Sequence, residues 1–342
     1  MSDRHREDPW AISEDGYPAR DGARERLRFL AGYAVLAPSV QNTQPWRFRL
    51  AGERLELAAD RTRALPVSDP DDRELVLSCG AALFHLRLAL RRFGHAGEVV
   101  LWPDPADPDL LARVGLGAAA DPTPEELAEF AAIPQRRTHR GRLAARPVPT
   151  GILTELQVLA TEEGAWLHLA EAEPERAALA ALIQEADRAQ AGDPRFRREL
   201  LAWVHERRRA TGDGLPDHAP EVRGPAIEEG PLVVRTFDRG DGQAARGGQL
   251  AEGSPVLAVL GTSNDTPRAW LEAGQALGRM LLRAQSLGLY ASYLNQPVEV
   301  PDTRARLPEL LGREGHPQLV LRFGYGEAPP PTPRRPLAEV FD

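Results

Sequence analysis

CGAALFHLRLALRRFG, residues 79–94, recurs 194 positions later as AGQALGRMLLRAQSLG, residues 273–288, and that recurrence governs how the chain is built. Gly80/Gly274, Ala82/Ala276, Leu83/Leu277, Leu88/Leu282 and Gly94/Gly288 are identical, Leu86/Met280 is conservative, and Pro103 falls on Pro297 without a gap. Ala, Leu and Gly are common enough for two amphipathic helices to match by chance. The register nevertheless persists through the terminal glycine to the next turn, which favours duplication of one unit. Each copy reads as a long helix whose apolar residues share one face, stopped by glycine and followed by a strand and a proline turn. A duplicated α+β unit inside one chain would pack as an internal pseudo-dimer, with its halves arranged as identical subunits would be.

Outward from the first copy, Leu27, Leu30, Ala31, Ala34 and Val35 predict a helix over 24–36 that Pro38 stops. Residues 46–58 alternate across Ala51-Gly52-Glu53, a hairpin signature. Strands are expected at 98–102 and 112–116. Thr123, Pro124 and Glu126 spell a helix start with a capping box, and Pro134 closes that helix. Around the second copy, helices are expected at 150–162, 174–190, 195–209, 267–287 and 302–312, and strands at 165–170, 232–237, 255–261, 289–294 and 318–324. The organisation expected is a loose arm over 1–22, a first half over 23–120 and a second half over 121–342. An insertion over residues 194–250 interrupts the second half, and residues 211–230 and 238–254 are rich in Gly, Pro and Asp.

Composition narrows the function classes. The formal charge of −8 argues against general affinity for nucleic acid or anionic membranes, and no run approaches the ~20 apolar residues of a membrane span. Cys79 is alone, so an intrachain disulfide is impossible, which fits a reducing cytoplasm. All 42 basic residues are arginine. That excludes a Walker A lysine, a Schiff-base lysine and a lysine general base, and leaves arginine, backbone amides and hydroxyls to hold any phosphate. Gly115-Leu-Gly117-Ala-Ala-Ala120 and Gly240-Asp-Gly242-Gln-Ala-Ala245 match a loose dinucleotide pattern, but neither opens a helix. No GxSxG elbow, HExxH or metal-spaced Cys/His cluster is present, and His85 reads as structural.

Two segments carry chemistry. Arg136-Arg137-Thr138-His139-Arg140 offers three guanidinia and a hydroxyl, suited to an anionic oxygen cluster and equally to a solvated basic turn. Arg334-Arg335 forms a second cluster at the far end of the chain, and the two could converge on one phosphate. APSVQNTQPW, residues 37–46, combines two prolines, amides and hydroxyls with Trp46 at a helix exit. Ser39, Asn42 and Gln44 suit a flat polar heterocycle, but Ser39 and Asn42 suit a helix C-cap and turn as well. Trp46 fits either a core strand residue or a ring contact.

APSxxNxQPW, RRTxR and the terminal PRRPLxEVF together resemble the nitroreductase-like FMN flavoproteins, and more narrowly their duplicated single-chain, Acg-type branch. The resemblance extends from about residue 25 to Phe341. It implies an α+β sandwich with FMN between the halves and NAD(P)H as electron donor. Arg136, Arg137, Thr138 and Arg140 would hold the phosphate and ribityl chain, with Arg335 and Arg334 closing on the phosphate. Pro38, Ser39, Val40 and Asn42 would line the isoalloxazine, and Asn295 and Gln296 its reactive edge. The first half lacks an RRS-like segment. The second lacks another APSxxNxQPW, with DPRFRRELLAWVHERRR standing in its place, so one FMN per chain is expected. Residues 194–250 would cover it as a lid. The activity implied is ping-pong reduction of nitroaromatic or quinone-like acceptors through flavin N5. The alternatives are a flavin-sequestering protein with little turnover, or dehydrogenation of a specific small substrate. A cytoplasmic monomer or weak homodimer, with no nucleic-acid or membrane partner, completes the expectation.

Overall fold

A computed structural model describes residues 8–203, 208, 211–215, 251 and 253–342. The first series of elements is helix α1 (Ala23–Ala34), strands β1 (Trp46–Ala51) and β2 (Arg54–Ala59), helix α2 (Arg73–Arg92), and strands β3 (Glu98–Leu101) and β4 (Leu110–Gly115). Helix α3 (Pro124–Ala132) leads to the second series, which opens with helix α4 (Thr150–Glu162) and strand β5 (Trp166–Leu169). Helices α5 (Glu173–Gly192) and α6 (Pro194–Ala202) precede strand β6 (Val256–Thr262), helix α7 (Pro267–Ser286) and strand β7 (Tyr290–Tyr293). Helices α8 (Gln296–Glu299) and α9 (Pro301–Leu310), strand β8 (His316–Gly324) and helix α10 (Leu337–Val340) complete the chain.

With α5, α6, α8 and α9 set aside, the order helix–strand–strand–helix–strand–strand occurs twice. Both series build a four-stranded antiparallel sheet in the same order, β1-β2-β4-β3 and β5-β6-β8-β7. The chain is therefore α+β, as the repeat predicts. The insertion that separates β5 from β6 runs over residues 170–255, wider than 194–250. Of the segment expected to form a lid, only α6, Trp203, Arg208 and 211–215 are among the described residues, and the strand expected at 232–237 lies outside them.

The sheets differ in burial. Trp46 and Phe48 of β1 and Leu55 and Leu57 of β2 pack under α1 and α2, while Arg47 and Arg49 between them face outward. In the second sheet Ala258 and Leu260 meet α4 and α7, and Leu257 and Val259 meet α5 and α9. Covered on both faces, β6 is buried along its whole length and reads as an unbroken apolar run.

The two long helices cross at the glycines of the repeat. The Gly80 backbone lies against Leu271 and Gly274, and that of Gly274 against Leu77 and Gly80. A Cβ on Gly80 would collide with the Leu271 carbonyl oxygen and come within 2.9 Å of the Gly274 Cα. Position 271 is 77 plus the repeat offset and 274 is 80 plus it, so the contact is self-complementary, as at a two-fold interface. α2 itself starts from outside: the Asp69 carboxylate accepts the Glu74 and Leu75 amides (3.0 and 2.9 Å), while Asp72 stands in the left-handed region at φ +56°. α3 starts as its sequence dictates, with the Glu126 amide donating to Thr123 Oγ1 (3.2 Å) and the Thr123 amide to the Glu126 carboxylate (2.8 Å).

Of the expected loose arm, residues 8–22 are described, and Trp10, Ile12 and Tyr17 pack against the first core. Ile12 fills the space beside Gly32, and the Tyr17 ring stacks on Phe93 at 4.2 Å. Phe29, Tyr33 and Phe130 complete that aromatic cluster, so apolar burial holds a stretch that looks polar in sequence. No helix among the described residues is long and apolar enough to cross a membrane.

Gly80→Ala and Gly274→Ala should each destabilise the protein by at least ~2 kcal/mol in urea unfolding, because backbone must yield to the new methyl group. Gly278→Ala, whose Cβ would meet the Phe84 side chain at 3.1 Å and the Ala81 carbonyl oxygen only at an ordinary 3.4 Å, should cost clearly less. On α3, burial pushes the Glu129 carboxyl up to about 7, opposed by Arg279 and Arg283. A carboxyl raised in the folded state protonates more readily there than in the unfolded chain. Stability should thus fall as pH rises from the ordinary carboxyl range to about 7. Glu129→Gln should flatten that fall and raise stability at pH 8 by on the order of 2–3 kcal/mol, read from denaturation at pH 5 and 8.

Candidate functional site

Between α1 and β1 the chain takes residues 35–45 to make a turn whose one regular piece is a short 3-10 helix, Val40–Asn42. Gln41, Asn42 and Gln44 adopt φ of +45°, +57° and +49°, a conformation that costs free energy at each non-glycine residue and persists only under external restraint. The restraints are hydrogen bonds. Ser39 Oγ accepts the Gln44 amide (2.9 Å), and the Val40 amide donates to Ser78 Oγ on α2 (3.1 Å). Asn42 Nδ2 donates to the carbonyls of Gly214 (3.0 Å) and Pro333 (3.1 Å), while its Oδ1 accepts Arg334 Nη1 (3.0 Å). Gln44 Nε2 donates to the Gly212 carbonyl (2.8 Å), and its Oε1 accepts the Arg335 amide (2.8 Å).

The amide atoms of Asn42 and Gln44, expected to face a heterocycle, are engaged within the protein. The buried amides tie three segments distant in sequence to one another. Pro38 is buried behind the turn, while Ser39, Val40 and Gln41 retain partial exposure, and buried Gln41 Oε1 has no hydrogen-bond partner among the described residues. Trp46 is fully buried and belongs to the core. His85 is also buried, with Nδ1 3.3 Å from the Tyr33 carbonyl oxygen, and burial pushes its pKa down to about 3.

Past α3, Pro134 turns the chain so that Arg136-Arg137-Thr138-His139-Arg140 runs beside β7. Thr138 bridges to Ala291 in parallel, and the His139 amide donates to the Ala291 carbonyl (2.9 Å). Arg136 is only 4% exposed, and its Nε has no partner among the described residues. Burial pulls its pKa down to about 10; the charges of Arg137 and Arg140 add to the fall, and Tyr293 opposes it. Burial likewise drives Arg334 well below the ordinary arginine range, and Arg136, Arg137 and Arg140 repel its charge further. The Arg334 Nε and the Tyr293 hydroxyl are buried and also lack partners among the described residues. Burial raises the Tyr293 phenol, while Arg136, Arg140 and Arg334 pull it back down. The charges of Arg137 and Arg140 thus bear on buried Arg136, and those of Arg136, Arg137 and Arg140 on buried Arg334. Such a cluster is chemically suited to a multiply charged oxyanion, which would supply both countercharge and acceptors for the unpartnered donors.

The tail delivers Arg334 here by returning to the first half. Phe341 bridges Phe48 in parallel, and the Asp342 amide donates to the Phe48 carbonyl (2.8 Å). Arg335, adjacent in sequence, turns elsewhere: its Nη2 donates to the Glu339 carbonyl (2.7 Å), and its charged surroundings are Arg63, Asp60, Glu339 and Asp213. Asn295 Oδ1 accepts the Val320 amide (3.1 Å) and Nδ2 lies 3.5 Å from Glu74 Oε1; Gln296 Nε2 is 3.4 Å from Asp187. Glu74, where burial pushes the carboxyl up to about 8, also accepts Arg73 Nη2 at 2.8 Å. Sequence reading missed Tyr293, Ser78 and Glu74, because each lies in an ordinary helix or strand, and did not name Gln41 within the segment 37–46. Only Gly212 and Gly214, in a TGDG stretch, carried a local signal of special backbone.

The two halves are unequal at this point. Where α1 and β1 are separated by residues 35–45, α4 and β5 are separated by 163–165, closed by Gly164 at φ +84°. A three-residue turn cannot present a second loop of this kind. DPRFRRELLAWVHERRR, expected in that place, falls instead in the insertion between β5 and β6.

A model of the nitroreductase family matches residues 133–325. The Mycobacterium tuberculosis protein Rv3131, named as a candidate NAD(P)H nitroreductase, is 35% identical over 93% of this chain and 91% of its own length. The acg protein of the same organism, named likewise, is 30% identical over 90% of this chain and 92% of its own. Among solved structures, the FMN- and NADPH-dependent nitroreductase NfnB of a Sphigopyxis strain is 20% identical, with a TM-score of 0.43 over 63% of this chain and 97% of its own.

Asn42→Ala would leave the Gly214 carbonyl and Arg334 Nη1 short of a partner. It should cost about 2–3 kcal/mol in unfolding experiments, and limited proteolysis should then cut near residues 211–215 first.

Proposed function

Because this chain belongs to the nitroreductase family, we propose that it is an FMN-binding oxidoreductase with one flavin per chain, fed by NAD(P)H and acting on nitroaromatic or quinone-like acceptors. The observation that carries the proposal is the convergence of Arg136, Arg137, Arg140 and Arg334 around buried donors that lack protein partners among the described residues. A phosphate dianion fits that environment: it cancels mutual repulsion among the guanidinia and accepts from the Nε–H groups of Arg136 and Arg334 and from the Tyr293 hydroxyl. Thr138 would bind the ribityl chain. Ser39, Val40 and Gln41 would bound the ring, with Asn295 and Gln296 near its reactive edge.

FMN, when bound, supplies the hydride chemistry between the nicotinamide donor and the acceptor. The work of the chain is then to bind and orient. Arginines fix the phosphate end. The loop held by Asn42, Gln44 and Ser78 gives the ring a wall that does not have to be ordered on binding. No strong acid or base is required at the site, which agrees with the lack of a catalytic pair in the sequence. The short α4–β5 turn supports a count of one flavin, since the counterpart loop has no residues to form it.

Arg136→Ala should weaken FMN binding by about 10- to 150-fold, the loss of one charge-assisted bond, measured by quenching of flavin fluorescence. Anaerobic addition of NADH or NADPH should bleach the wild-type flavin. A protein that neither carries nor takes up FMN would overturn the proposal; one that binds FMN without bleaching would overturn its reductase half.

A further inference from the structure

Outside the groups assigned above, the N-terminal segment makes one contact that core packing does not require. Asp8 accepts the Trp10 amide (3.1 Å) and, with Pro9, sets a short 3-10 turn that throws the indole across to the far end of the chain. Trp10 Nε1 donates to the Thr332 carbonyl (3.0 Å), just ahead of Pro333 and Arg334. The Arg137 guanidinium lies over the indole with its Cζ 4.4 Å from the ring centroid, and that of Arg334 lies 5.1 Å from it. One aromatic ring therefore meets two cations of the cluster, contributed by segments nearly two hundred residues apart.

Those two cations repel each other, and burial makes their charge costlier. The negative face of an indole offsets part of that cost without a countercharge, and so does not compete with an incoming anion as a carboxylate would. It also removes rotamer freedom from two long side chains before any ligand arrives. Arg137 has a second restraint of the same kind, as Nη1 donates to the carbonyls of Pro134 and Arg136 at 2.8 Å each. The segment behind Trp10 is anchored by Ile12 beside Gly32 and by Tyr17, whose hydroxyl is 2.8 Å from His95 Nε2, so the indole is held from both sides.

We propose that Trp10 is a positioning residue for the phosphate end of the site: it holds Arg137 and Arg334 ready, and so makes the site discriminate a phosphorylated flavin from the same ring without phosphate. The inference rests on the FMN reading above. It adds a role for a residue that would reach the ligand only through the arginines.

The test is titration of full-length wild type, Trp10→Ala and Trp10→Phe with FMN and with riboflavin, followed by flavin fluorescence, alongside thermal melts. Wild type should prefer FMN. Trp10→Ala should lose about tenfold in FMN affinity, the scale of two weakened cation–π contacts, with riboflavin affinity changed by less than about twofold. Trp10→Phe, which keeps a ring face and loses the bond to Thr332, should recover most of the FMN affinity. Equal losses for FMN and riboflavin, or no loss for either, would overturn the positioning role while leaving the FMN reading intact. Failure of wild type to bind FMN would overturn the FMN reading, and with it this inference. Should Trp10→Ala lose its cooperative melt, Trp10→Leu replaces it, with the same split between the two ligands expected.

Discussion

The close approach of two helix backbones at Gly80 and Gly274 is the constraint to which the other features of the fold answer. Helices usually pack with side chains between them; here one residue without a Cβ on each lets main chain meet main chain. The contact is self-complementary across the repeat, so it sets the relation between the two sheets, each of which packs its own helices against this central pair. Ser78, two residues before Gly80, anchors the loop at 37–46. The segment at 136–140 lies along β7, the strand that follows the other crossing helix. A displacement of one helix along the other would move the two sides of the candidate site apart by the same amount.

Charge places a second demand on the molecule. Arg136, Arg137, Arg140 and Arg334 come together in a volume where water is partly excluded, and carbonyl acceptors and the Trp10 indole restrain Arg137 and Arg334 there. Arg334 alone donates to the carbonyls of Leu36, Thr332 and Pro333 and to Asn42 Oδ1. These are dipoles, not countercharges. They orient Arg334 without neutralising it, which favours binding of an anion.

The asymmetry between the halves has an equally plain cause in chain length. Topologically the halves match, strand for strand, yet the link before β1 has the residues to fold into a polar turn and the link before β5 does not. Insertions stand elsewhere in the second half, between β5 and β6 and between β7 and β8. The first of these sends the Gly212–Gly214 turn back onto Asn42 and Gln44. What was added to the second half thus buttresses the loop found only in the first.

Much of this was legible in the residues themselves. Periodicity located α2 and α7, Thr123-Pro124-Glu126 located the start of α3, and the spacing of Gly80 and Gly274 marked the repeat. These features are local, or repeat in register, and so can be read along one dimension. The roles of Asn42 and Gln44 could not be read that way. Their amides suit a ligand as well as they suit the carbonyls of Gly214, Pro333 and Gly212, and only the folded path of the chain selects among them. The same holds for Arg334 and Arg335, neighbours of identical chemistry. They part because the path of the tail along β1 points one to the arginine cluster and the other to the Glu339 carbonyl. Trp10, in a polar stretch with no periodicity, finds its place for a similar reason. The elements, the duplication and the arginine-only chemistry follow from the linear order of residues. Which polar groups face one another follows only from the folded chain, because a hydrogen bond or a cation–π contact between residues far apart in sequence leaves no trace in the pattern of either segment.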